Sequence, residues 1–259
     1  MSPLVDSHSH FDAPEFDSDR ADALARAREA GVTRQIVPAI TRASWPSLSA
    51  MCAQYEGLFP AYGLHPMFLD EHRPEHLDEL RDLVARQRPI AIGECGLDFY
   101  IETLDAETQR HYFHAQLELA RDTELPVILH ARRALGEVTH AVKRIGGLRG
   151  VVHSFSGSLE QARELWKLGF FLGIGGPVTY ERARRLREIV AQMPIEFLLL
   201  ETDSPDQPLA THRGVRNEPA WLVEVLDCIA DLRGEPPEHV ARMTRLNAER
   251  LFGLPSLAS

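Results

Sequence analysis

Lysine is almost missing from this chain: of its 28 basic residues only Lys143 and Lys167 are lysines, and the rest are arginines. Cysteine is nearly as scarce. Cys52, Cys95 and Cys228 lie far apart and form no CxxC pair, which excludes a zinc ribbon and a disulfide framework and leaves ordinary reduced thiols. No apolar stretch approaches the roughly 20 residues that a membrane-spanning helix requires. The opening MSPLVDSHSH has no basic or apolar leader pattern, so no signal peptide is expected and a cytoplasmic location is the default. An excess of positive charge is also missing. The net charge of −10 speaks against a surface coated with a basic stripe for duplex DNA. It leaves open local reception of phosphate by divalent cations in a carboxylate-lined pocket. Repeats, low-complexity tracts and linker-like runs are absent too, so one domain over residues 1–259 is expected.

What is present is an alternation. With 44% hydrophobic and 25% charged residues, the chain can build a substantial core without help from metals. Short apolar runs at Leu4–Ser7, Arg34–Pro38, Phe59–Leu64, Ile90–Gly93, Val127–Leu129, Gly150–Val152, Phe170–Ile174 and Phe197–Leu200 read as buried parallel strands. Amphipathic stretches separate them. Ala21–Ala30 ends at Gly31, Glu107–Asp122 precedes Pro126, Leu159–Leu168 stops at Gly169, and Arg182–Gln192 stops before Pro194. Eight strand–helix units point to a (β/α)8 barrel of the α/β class, with Glu238–Leu251 as one extra C-terminal helix. A doubly wound open sheet would alternate in the same way.

The placement of polar residues favours the barrel. His8 and His10, His65, Glu94, His130, His153 and Asp203 all fall at or just past the C-terminal ends of the expected strands, which converge on one mouth in a barrel. On an extended segment His8 and His10 share a face and form a chelating edge suited to Zn²⁺, Mn²⁺ or Fe²⁺; the bland alternative is a pair of surface histidines. Glu94 follows Ile90-Ala91-Ile92, where a carboxylate is either buried and unpaired, which is costly, or bound to cations. The next expected helix begins too far on for it to be a cap. His130 and His153 end consecutive strands and together suggest a second metal site, although each alone could be a satisfied core histidine. Asp203, in Glu201-Thr202-Asp203-Ser204-Pro205, could be a turn former. Facing the His8–His10 edge across barrel closure, it reads better as a ligand and proton acceptor. His65 is a candidate substrate contact, and His212 with Arg213 a weaker one. The remaining histidines fall in expected helices or polar loops.

With these residues in place, the chain resembles the TatD family of metal-dependent hydrolases and deoxyribonucleases, within the amidohydrolase-like barrels. The likeness is carried in order by DSHSHFD, GLHP, GECGLDFY, LPVILHAR, VVHSFSG, ETDSP and RNEP, and so spans nearly the whole chain. It implies a (β/α)8 barrel holding two divalent ions (Zn²⁺, Mn²⁺ or Mg²⁺), with His8, His10 and Asp203 at the first, His130 and His153 at the second, and Glu94 bridging both. Many related barrels bridge their ions with a carboxylated lysine ending the fourth strand. Here both lysines fall in expected helices, and Glu94 takes the corresponding place. The segment DQPLATHRGV after the eighth strand is less typical of the family and bears on substrate detail. The expected activity is hydrolysis of a phosphodiester at an end of single-stranded DNA by water activated between the ions, with Glu94 and Asp203 catalytic and Arg132 and His65 contacting substrate. DNA contacts would be weak and sequence-tolerant, no membrane is involved, and a monomer is assumed. The same ligands would also serve a hydrolase of a small ester, lactone or amide. A barrel that only binds ligand is the third reading.

Overall fold

The computed structural model describes residues 3–255. Eight parallel strands pair in sequence order from β1 to β8. They are β1 (Leu4–Asp6), β2 (Val32–Pro38), β3 (Leu58–Tyr62), β4 (Ala91–Asp98), β5 (Val127–Arg132), β6 (Gly150–Val152), β7 (Phe171–Ile174) and β8 (Leu198–Leu200). The seam between β8 and β1 is drawn together just beyond the strands. Ser7 N–H donates to Leu200 O (2.9 Å), Asp203 N–H to His8 O (2.9 Å) and His10 N–H to Ser204 O (2.7 Å). The result is a nearly closed barrel, as the placement of polar residues at the strand ends predicts, rather than an open sheet.

Helices follow the strands on the outside: α1 (Arg20–Glu29), α2 (Trp45–Gln54), α3 (Glu75–Gln87), α4 (Ala106–Thr123), α5 (Leu135–Ile145), α6 (Leu159–Lys167), α7 (Arg184–Gln192) and α8 (Leu222–Arg233). A further helix, α9 (Pro237–Phe252), makes nine of eight residues or more among the described residues. Their ends obey local chemistry. Asp105 caps α4 by accepting from Thr108 N–H, and Ser158 with Gln161 forms a reciprocal capping box on α6. Gly253 closes α9 in the left-handed conformation.

Two apolar layers explain why the strands read as unbroken hydrophobic runs. One residue from each strand, namely Val5, Ile36, Ala61, Ala91, Ile128, Val151, Phe171 and Leu199, forms an inner cluster that Ala248, Leu251 and Phe252 of α9 close from below. Their chain neighbours, such as Leu4, Val37, Tyr62, Ile92, Val127, Val152, Leu172 and Leu200, pack outward against the helices. Both faces of every strand are therefore buried, and the other end of the barrel is left for polar groups.

Four boundaries differ from the sequence reading in ways that move functional residues. β4 runs on through Asp98 and β5 through Arg132, so Glu94 and His130 stand inside strands rather than past them. Small residues make this extension possible. A Cβ on Gly96 would stand 2.0 Å from His130 O, so only glycine lets the two strands approach there. β1 ends at Asp6, which puts His8 and His10 on the segment after the strand. Finally, α7 begins at Arg184, leaving Arg182 and Ala183 in the preceding loop.

Candidate metal centre

All seven residues singled out at the strand ends meet at the barrel mouth. Asp6 sets the first of them. Its carboxylate accepts from His8 N–H (3.2 Å), Thr202 N–H (3.0 Å) and the Thr202 hydroxyl (2.6 Å), tying the chain after β1 to the chain after β8. Burial lifts its pKa to about 7 despite these donors. With the two segments joined, His8 Nε2 comes 3.3 Å from His10 Nε2 and 3.4 Å from Asp203 Oδ1. Asp203 has φ +56°, a left-handed conformation that Asp tolerates better than most residues, and the Gln207 amide holds its Oδ2.

Glu94 lies at the centre, 1% exposed, and its two oxygens face different neighbours. Oε2 stands 3.2 Å from His8 Nε2 and 3.4 Å from His10 Nε2. Oε1 stands 2.8 Å from His153 Nε2, 2.9 Å from His65 Nε2 and 3.1 Å from His130 Nδ1. The far nitrogen of His130 meets Asp98 Oδ2 at 2.9 Å, an imidazole–carboxylate contact that fixes ring orientation. The His8 and His153 rings stack with centroids 3.9 Å apart. Glu201 is buried behind His153, where its Oε1 accepts from Ser154 N–H (2.5 Å). Gly173 makes room for it, since a Cβ there would stand 1.9 Å from Glu201 Oε2.

The electrostatics are those of a crowded cluster of buried imidazoles and carboxylates. Burial opposes ionisation of Glu94, yet His153, His65 and His8 around it hold its carboxyl well below the usual range. Burial pushes His65 down to about 4 and, with His153 beside it, His8 well below its ordinary value. His10 and His153 go the other way. Against burial, Glu94 and Asp203 lift them to about 9 and about 10. Burial also raises Asp203, and it raises Glu201 to about 8.

These residues fit a metal. Glu94 Oε2 is buried with no hydrogen-bond partner, although imidazole nitrogens surround it. Three clusters have ligand atoms close enough to share an ion: His8, His10 and Asp203; His8, Glu94 and His153; and His65, Glu94 and His130. Four ligands about 2.1 Å from a tetrahedral ion stand about 3.4 Å apart, which is the spacing seen among these atoms. The sequence reading made His65 a substrate contact. The structure places it against Glu94, within the cluster, and puts Arg132 on the cavity wall with its guanidinium 3.7 Å above the Tyr100 ring. Asp6, Asp98, Glu201 and Gln207 were not singled out from sequence. For Asp98 a signal existed, because it lies four residues after Glu94 on the same strand face. Gln207 carried none, since a loop brings it in.

A parallel barrel whose mouth gathers imidazoles and carboxylates around one buried glutamate is the architecture of a metal-dependent hydrolase. The model of the family described as TatD related DNase matches residues 5–253, and the chain belongs to the TatD family. It is 39% identical over 255 residues to the uncharacterized metal-dependent hydrolase YjjV of Escherichia coli K12, covering 97% of this chain and 98% of that one. It is also 36% identical over 258 residues to the 3′-5′ ssDNA/RNA exonuclease TatD of Cronobacter sakazakii, covering 96% and 97%. The crystal structure of YjjV, a TatD homolog from Escherichia coli K12, superposes with a TM-score of 0.94 at 38% identity, covering 97% and 98% of the two chains.

Proposed function

We propose that this hydrolase is a nuclease that cleaves phosphodiester bonds at an end of single-stranded DNA in the cytoplasm, using two divalent ions (Zn²⁺, Mn²⁺ or Mg²⁺). The observation that carries the two-ion reading is Glu94. Its Oε2 faces His8 and His10, and its Oε1 faces His130 and His153, so one carboxylate reaches two ligand sets. In this reading His8, His10 and Asp203 would hold one ion and His130 and His153 the other, with Glu94 shared between the two sets. Ions held there would supply Lewis acidity toward a phosphoryl oxygen and toward water.

The chain's own residues supply the remainder. Asp203 accepts the proton of the attacking water. The Gln207 amide keeps it aimed at the centre. Arg132, braced on Tyr100, meets a non-bridging phosphoryl oxygen from the cavity wall. His65, kept neutral by burial, packs beside Glu94 and orients the substrate. A DNA substrate is supported by the name of the Cronobacter relative and by the cavity, whose volume of about 1350 Å³ exceeds the range typical of small-molecule pockets.

The test is metal-reconstituted protein offered paired panels of end-labelled single-stranded oligonucleotides and small esters, lactones and amides. Shortening of the oligonucleotides is expected. Intact oligonucleotides beside a hydrolysed ester would overturn the nuclease reading in favour of a small-molecule hydrolase. Glu94→Gln keeps the shape but removes the charge. It is expected to lower kcat/KM by more than about a hundredfold and to reduce bound metal measured by elemental analysis, since loss of an outer partner alone costs about 10- to 100-fold.

A further inference from the structure

The mouth of the barrel is divided by charge. Because the strands follow one another in order around the ring, each loop has a known place on the rim. Asp206 after β8, Asp12 and Glu15 after β1, and Glu71 after β3 line one side of the cavity. Arg132 at the end of β5, and Arg182, Arg184 and Arg185 after β7, line the other. Arg185 also reaches across to the loop after β6, donating to Ser156 O (3.0 Å), and Arg182 rests against the Tyr180 ring. A molecule of net charge −10 thus carries a cationic arc on the β5–β7 side of its active cavity.

That arc is not explained by the fold. Ten arginines elsewhere are paired with carboxylates, among them Arg20 with Asp17, Arg42 with Glu79, Arg110 with Glu137 and Arg216 with Asp19, and others, such as Arg28, Arg149 and Arg250, donate to backbone carbonyls. Among the described residues, Arg132, Arg182, Arg184 and Arg185 make no such ion pair. Nor does the local helix gain from them, since cations at the start of α7, which has no acidic residue in its first turn, oppose the helix dipole. The next arginine, Arg187, has a structural task and turns away to donate to Val178 O (2.8 Å). Exposed, unpaired guanidinium groups concentrated on a cavity wall match the phosphates of an extended polyanion.

We propose that Arg182, Arg184 and Arg185 form a phosphate-binding wall that carries the nucleic-acid strand flanking the scissile bond out over the β5–β7 side of the mouth. Asp12, Glu15, Glu71 and Asp206 repel the strand from the opposite side and so give it one path. This rests on the nuclease reading above and adds a path and a length dependence to it.

The experiment compares the metal-loaded wild type with the exposed triple variant Arg182→Gln, Arg184→Gln, Arg185→Gln, both checked by thermal melting. Binding of a phosphorothioate octanucleotide is followed across a salt titration. Three lost phosphate contacts should lower the slope of log affinity against log salt by about 2, at about 0.7 per contact on a single strand. The ratio of kcat/KM for an octanucleotide to that for a dinucleotide should fall at least about tenfold, through KM, because only the longer substrate reaches the wall. In the opposite sense, Glu71→Gln should tighten octanucleotide binding. A folded triple variant with the wild-type slope and ratio overturns the wall while leaving the nuclease reading standing. A wild type that ignores both oligonucleotides and hydrolyses a small ester overturns that reading and the wall with it.

Discussion

Asp98 shows how little distance separates a candidate ligand from its support. It shares β4 with Glu94, sits on the same face, and turns its carboxylate onto the far nitrogen of His130 at 2.9 Å. Asp98→Asn keeps the acceptor that receives Tyr100 N–H but removes the charge that orients His130. Metal affinity in a chelator-competition titration should fall by about 10- to 100-fold, with the melting temperature of the metal-free protein little changed. Unaltered affinity would mean that Asp98 only shapes the turn after β4. The ligand candidates themselves were legible in the sequence, because polar residues that repeatedly interrupt apolar runs at strand ends are costly to bury unless they serve one another. Their supports were not. Glu201 stands beside Asp203 in ETDSP, yet only the glycine at position 173 of a neighbouring strand reveals that the side chain points inward.

At the scale of the element, β4 decides the geometry of the centre. Its continuation to Asp98 depends on Gly96, which has φ +151° and whose added Cβ would meet His130 O at 2.0 Å. Gly96→Ala must push β4 and β5 apart. A loss of about 1–3 kcal/mol in denaturant unfolding is expected, together with a larger proportional loss of activity, because His130 moves with β5. A second element-scale tie holds α1 against the segment before α8. Asp19 accepts from Arg216 (2.7 and 2.9 Å) and from Arg26 (3.0 Å), and these bonds hold its carboxyl below the usual range. A depressed folded-state pKa means stabilisation that is present above the unfolded value of about 3.9 and lost as pH falls through the folded one. Asp19→Asn should therefore melt earlier than wild type near neutral pH, and the gap should close as the pH drops below about 4. A gap that persists in acid would show that packing, not charge, is lost. Strand positions along the chain were legible because both faces of each strand are buried, and α1, α4, α6, α7 and α9 were legible from their amphipathic spacing and end signals, whereas α2, α3, α5 and α8 were not located. The length of β4 was not, since glycines and carboxylates carry no strand signal until a partner strand supplies the pairing.

The whole molecule separates stability from chemistry by placing them at opposite ends of the barrel. α9 closes the lower end with Ala248, Leu251 and Phe252 against the inner layer, while the cluster able to hold metal occupies the upper mouth. Phe252→Ala should cost about 3–5 kcal/mol of unfolding free energy, yet leave metal content and kcat/KM at temperatures well below melting close to wild type. Equal loss of both would show that the ends are mechanically coupled. No helix among the described residues is long and apolar enough to cross a membrane.

Periodicity and the cost of burying polar groups are local properties written along the chain. They were enough to set the barrel, the order of its strands and the extra C-terminal helix, and to mark His8, His10, Glu94, His130, His153 and Asp203 as members of one site. Folding added what no local pattern holds. Glu94 turns one oxygen to each set of imidazoles, and His65 joins the cluster. Asp6, Asp98, Glu201 and Gln207 brace that cluster from behind, and the arginines of the rim stand apart from its acids. Each of these depends on which loops become neighbours when the ring closes, and closure is a property of the assembled sheet.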